Sequence, residues 1–104
     1  MYIQPFGGAM ILIASENVKK KILDEHGITF LEAEEAFNNF SGFPLIDKRA
    51  RHRSKPTTAW CISETYEGRL LKLVFIPYPD KHVSVLRTAY EPDDDEVELW
   101  NENL

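Results

Sequence analysis

Three apolar segments crowded between Thr58 and Ala89 do most to limit what this chain of 104 residues can fold into. Thr58 to Glu64 places Trp60 and Ile62 on one face of a strand, and Leu70 to Ile76 is almost wholly apolar. Val83 to Ala89 alternates Val83, Val85 and Arg87 against Ser84, Leu86 and Thr88. The connections Tyr66-Glu67-Gly68 and Pro77-Tyr78-Pro79-Asp80 are turn-forming and too short for a parallel crossover. The spacing therefore predicts an antiparallel meander, and a meander needs other elements laid on it to bury its apolar residues.

Those elements are legible upstream. Met10-Ile11-Leu12-Ile13-Ala14 is a further strand candidate, and Ser15 is placed to cap a helix running from about Glu16 to Glu25. Val18 and Ile22 fall at i and i+4, Lys19 to Lys21 face water, and Gly27 stands where a left-handed residue ends the helix. Thr29 and Glu32 form a capping-box pattern ahead of a second helix, in which Phe30, Ala33, Phe37 and Phe40 recur at helical spacing up to Gly42. Between there and Thr57 only Pro44-Leu45-Ile46 can make a short edge strand. After Pro92, Asp93-Asp94-Asp95-Glu96 suits a helix N-terminus, with Val97, Trp100 and Leu104 turned inward. The expected fold is α+β in the order β-α-α-β-β-β-α: two helices packed on a small antiparallel sheet, followed by a C-terminal helix. Residues 1–104 form one domain, with 1–9 as an N-terminal extension and 91–104 as an acidic helical tail.

Charge is distributed unevenly. All twelve Lys and Arg lie in the first ninety residues, while seven of the seventeen carboxylates lie between Glu91 and Leu104, so the formal −5 hides a basic body with an acidic end. The basic excess is concentrated in Lys48, Arg49, Arg51, Arg53 and Lys55, spaced so that they can follow a phosphate backbone. No membrane-length apolar run or signal-like n-region is present, so a cytoplasmic protein without a membrane partner is expected. The single Cys61, set between Trp60 and Ile62, is expected to be a buried packing residue. No His/Cys spacing suggests a zinc site, and no motif calls for a metal or cofactor.

Ser15 to Lys21, Glu25-His26-Gly27-Ile28-Thr29-Phe30-Leu31-Glu32-Ala33 and Ala36-Phe37 resemble the opening of BrnT-type toxins. Gly68-Arg69-Leu70-Leu71-Lys72-Leu73-Val74-Phe75 and Val83-Ser84-Val85-Leu86-Arg87-Thr88-Ala89 are similar to that family's later strands, so the likeness covers roughly Ser15 to Tyr90. Short bacterial proteins sharing His52-Arg53, Pro56-Thr57, Trp60 and Arg87-Thr88-Ala89-Tyr90-Glu91-Pro92 resemble the chain more closely. Some carry the label ADP-ribosyl-dinitrogen reductase hydrolase, which is set aside because a chain of this size cannot enclose a two-metal site held by many carboxylates. The resemblance implies a RelE-like ribonuclease of a type II toxin–antitoxin pair, cleaving mRNA and inhibiting translation. It also implies a small antitoxin partner, for instance of ribbon-helix-helix type, and leaves a homodimer open.

Metal-independent RNA cleavage needs the 2′-hydroxyl deprotonated, the leaving oxygen protonated and the phosphorane charge stabilised. By that resemblance Arg87, Arg69 and Lys72 on adjacent strands are the catalytic candidates, with Ser84 as a phosphate ligand and His52 or His82 as acid or base. Each has a structural alternative. Arg87 would pair with a helix carboxylate such as Glu32, Arg69 would be a solvated turn residue, Lys72 would protect a sheet edge, and His52 would be solvated in its loop. Ser84 and Arg87 point to opposite faces of an ideal strand, so joint action requires a bulge or twist. Net acidity and the tail, which would lie on the basic surface, favour a second function: a non-catalytic RelE-like binding module, immunity or regulatory, acting through protein–protein contacts.

Overall fold

The fold is described from a computed structural model, in which residues 10–40, 42–46 and 57–104 are placed. Residues 1–9, 41 and 47–56 lie outside the described residues, and with them the expected N-terminal extension, His52 and the whole basic run Lys48, Arg49, Arg51, Arg53 and Lys55.

The chain runs β1 (Ile11–Ile13), α1 (Glu16–His26), α2 (Phe30–Asn39), β2 (Leu45–Ile46), β3 (Ala59–Glu64), β4 (Leu70–Tyr78), a 3-10 turn (Pro79–Lys81), β5 (Val83–Tyr90) and α3 (Asp94–Glu102). The helix boundaries follow from their caps. Ser15 accepts from the Val18 N–H, and Gly27 ends α1 at φ 65°, a conformation that costs a side-chain-bearing residue about 1 kcal/mol. Thr29 with Glu32 and Asp93 with Glu96 each close a full capping box.

The protein is α+β, and the described residues form three α-helices and one five-stranded sheet in the order β1-β5-β4-β3-β2. The meander β3-β4-β5 is antiparallel as the short turns require, and β2 adds an antiparallel edge. The expectation of a wholly antiparallel sheet is corrected at β1, which pairs with β5 in parallel, Ile11 opposite Val83 and Ile13 opposite Val85. The reason lies in the excursion through α1 and α2. The chain leaves β1, covers one face with two helices, re-enters at the far edge, and the meander returns to β1 running the same way.

Two layers of apolar side chains result. Leu12, Cys61, Leu71, Leu73, Phe75, Leu86 and Ala89 face α1 and α2, where Ile22, Ala33, Ala36 and Phe37 are buried, and Phe37 meets Phe75 edge to face at 5.6 Å. The other face is covered in part by α3, whose Trp100 lies 5.7 Å from Trp60 and 6.0 Å from Phe40 between ring centres. Leu104, expected to turn inward, is 86% exposed, because α3 ends at Glu102 and the sheet surface it covers ends with it. Among the described residues no helix is long and apolar enough to cross a membrane.

Candidate functional site

Alternation along β3 and β4 puts Trp60, Ile62, Leu70, Lys72 and Val74 on the face opposite α1 and α2. Lys72 is in the middle strand of the sheet, so the edge-protecting reading is replaced. Only 4% exposed, its ammonium donates to Glu96 Oε2 at 2.6 Å and sits 4.4 Å above the Trp60 ring and 5.6 Å from that of Tyr90. Tyr90 donates its hydroxyl to the same Glu96 oxygen at 2.8 Å, while the other oxygen accepts the Asp93 N–H at 3.0 Å in the capping box. One carboxylate thus starts α3, fixes a tyrosine and neutralises a buried lysine.

Protonation states follow from these contacts. Burial alone would lower the Lys72 pKa, but the hydrogen bonds and charges of Glu96 and Tyr90 outweigh it and hold it above its ordinary value. Burial would likewise raise Glu96, yet Lys72, the Asp93 N–H and the Tyr90 hydroxyl together bring it below the ordinary carboxylate value. The Tyr90 phenol is raised, by burial first and by Glu96 second. At neutral pH the group is a closed ammonium–carboxylate pair under a neutral phenol, with no free base.

Arg69 stands between Gly68 and the start of β4, partly exposed but not the free turn residue of the alternative reading. Its Nη1 donates to the Gly27 carbonyl at 3.1 Å and to Glu32 Oε2 at 3.1 Å, and its Nε donates to Glu91 Oε2 at 2.8 Å. Glu32 is held below its ordinary pKa mainly by the Thr29 backbone N–H, with Arg69 adding to that. The predicted pair Arg87–Glu32 is therefore corrected: Glu32 goes to Arg69, which the left-handed end of α1 brings within reach.

Arg87 is exposed and makes no hydrogen bond or ion pair among the described residues. Val74 pairs with Thr88 and Phe75 with Leu86, which leaves Arg87 as the extra residue of a β-bulge. The bulge interrupts the alternation: Leu86 pairs with Phe75 on the face covered by α1 and α2, while Thr88 pairs with Val74 on the α3 side. Ser84 lies on the helix-covered face, fully buried opposite Leu12, and its Oγ has no hydrogen-bond partner among the described residues. It is a core residue out of reach of a phosphate on the surface. His82 is exposed at φ 56° in the turn before β5, and His26 lies beside Tyr90 with 5.6 Å between ring centres. Cys61 is buried as expected, and burial pushes its thiol pKa up.

Of the three sheet cations expected to act together, two are closed by carboxylates of the segment after Tyr90 and one stands open. Comparison with protein-family models, with curated proteins and with solved structures finds no match to this chain. Among the partners, sequence reasoning names Glu32 but with the wrong arginine, and it misses Glu91, Tyr90 and Glu96. Of these three Glu96 leaves a signal, since an Asp-x-x-Glu pattern after Pro92 marks a capping box whose carboxylate is held at the start of the helix.

A groove of about 680 Å³ opens beside this cluster, between α3 and the β3–β4 hairpin. Ile62, Leu70, Val97 and Trp100 form its apolar part, and Asn39, Glu64, Tyr66 and Asn101 are among its polar walls. Such a size is in the range of ligand-binding clefts.

Proposed function

We propose that the chain is a RelE-like, non-catalytic binding module of the cytoplasm, an immunity or regulatory protein that acts through protein–protein contacts. The observation that carries this reading is the neutralisation of the sheet cations by the chain's own C-terminal segment, Arg69 by Glu91 at 2.8 Å and Lys72 by Glu96 at 2.6 Å. A phosphorane needs cations that are unspent, and an ammonium buried under an aromatic ring with a carboxylate on it has no capacity left for a phosphate. The order of elements, β-α-α-β-β-β-α with a short edge strand added, supports the RelE-like part of the reading.

A second reading, the metal-independent endoribonuclease of a type II toxin–antitoxin pair with a small antitoxin as partner, is favoured by Arg87, an exposed arginine on a bulge with no ion pair among the described residues. In it Lys48, Arg49, Arg51, Arg53 and Lys55 would bind RNA and His52 would serve as acid or base. Inducible expression separates the two. The binding module predicts undisturbed growth and no cleavage of mRNA or ribosome-bound RNA by the purified full chain. Growth arrest relieved by Arg87→Ala would overturn it in favour of the nuclease.

A further inference from the structure

We propose that the groove between α3 and the β3–β4 hairpin is a docking site for a basic, amphipathic segment of a partner protein, an assignment that rests on the binding-module reading. The floor supplies the apolar half of the match. Ile62, Leu70, Val97 and Trp100 meet there, and Leu70, the first residue of β4, remains 37% exposed. The walls supply the charge. Glu64 lines the groove with its carboxylate beside Gly68, Glu67 stands in the same hairpin turn, and exposed Glu98 lies one turn before Asn101 on α3, at the groove's rim. No cation among the described residues pairs with Glu64, Glu67 or Glu98. The neighbouring cations Arg69 and Lys72 are already spent on Glu32, Glu91 and Glu96, so the field in the groove is negative and its low-dielectric walls concentrate it.

Arginine fits such a place well. Its aliphatic stem lies along an apolar floor while the guanidinium forks onto carboxylates and side-chain amide oxygens. The chain's own basic run, Lys48 to Lys55, has the charge but only Ala50 to set against the floor, so a partner segment carrying both leucine-like and arginine residues is the better match. Exposed Tyr66 at the rim offers a face for a second cation.

The test titrates the full chain with a fluorescein-labelled dodecapeptide alternating arginine and leucine, its glutamate–leucine counterpart, and labelled nona-arginine, read by fluorescence polarisation and by methyl chemical shifts. The arginine–leucine peptide is expected to bind, to shift the Ile62, Leu70 and Val97 methyls, and to weaken about tenfold or more between about 0.05 and 0.5 M salt. In E64K/E98K, whose substituted positions are exposed, binding should fall at least about tenfold with an unchanged melting temperature. L70D, tested separately, should weaken the arginine–leucine peptide more than nona-arginine. Equal binding by the glutamate peptide, equal binding by nona-arginine, retained affinity in E64K/E98K, or shifts confined to the exposed Ile11 and Ile13 of the β1 edge, away from the groove, would each overturn the proposal. The growth and RNA assays read the functional class independently: an inert, non-cleaving chain with no peptide affinity keeps the binding-module reading and loses the groove.

Discussion

Replacing Glu96 by Gln is the sharpest probe of how α3 is held. The amide keeps an oxygen for the Asp93 N–H and another polar group for the Tyr90 hydroxyl, so the capping box and the helix are conserved in shape. What is removed is the charge facing a lysine whose side chain is only 5% exposed. Breaking a buried pair from one side costs roughly 3 to 5 kcal/mol, and because the Glu96 side chain is 20% exposed the lower end applies, about 3 kcal/mol. For a domain of this size that is a fall in melting temperature of roughly 12 to 20 °C. The companion variant K72M/E96Q removes the stranded ammonium and fills its place with an apolar chain under Trp60. It should recover to within about 1 kcal/mol of the parent, making the double variant more stable than the single one. Urea unfolding at pH 7, followed by near-ultraviolet circular dichroism, measures both. If E96Q costs less than about 0.5 kcal/mol, or if the double variant is no more stable than E96Q, the pair is behaving as a solvated surface contact and the case for a closed sheet face fails.

Other expectations follow from the same contacts. The depressed Glu96 contributes stability that is complete above its ordinary pKa of 4.5 and is lost as pH falls through its lower folded value. The raised Lys72 contributes stability complete below 10.5 and lost above it. Unfolding free energies of the parent should therefore exceed those of K72M/E96Q most between these limits, and a difference that stays flat down to pH 2 would contradict the assignment. Ser84→Ala removes a buried hydroxyl that has no partner among the described residues, and should raise stability by about 1 kcal/mol in a thermal melt; a loss of that size would mean the hydroxyl is bonded. Arg87→Ala should leave stability within about 0.5 kcal/mol by urea titration, since the residue is exposed and makes no ion pair among the described residues. The Cys61 thiol should react with a disulfide reagent at least about a hundredfold more slowly in the native chain than in urea, and rapid native reaction would show that β3 opens readily.

Local rules and long-range geometry divided what could be read in advance. Ser15, Gly27, Thr29 with Glu32, and Asp93 with Glu96 act within a few residues of themselves, so both the helices and their ends were legible. Short turns told the same for β3, β4 and β5. The parallel pairing of β1 depends on which way a returning chain passes, which no local pattern carries. The site shows the same division. That Lys72 and Arg69 mattered was visible from their place in apolar strands, but their partners come from α2, from Glu91 and from α3, at sequence distances where only the folded chain decides. The bulge at Arg87 broke a simple alternation count: Leu86 stays with Ser84 on the helix-covered face, whereas Thr88, expected beside them, pairs with Val74 on the other.

The seam between β1 and β5 also sets an order of events. Leu12 lies opposite Ser84, and α1 rests chiefly on β5, so the earliest strand and the first helix have no seat until residues far downstream exist. During synthesis the hairpin of β3 and β4 can form from neighbours, while β1 and the apolar side of α1 wait with Leu12 and Ile22 uncovered. A chain interrupted before Val83 would lose more than its last strand: it would release its first two elements as well, and present them as sticky, unfinished surface to whatever is near.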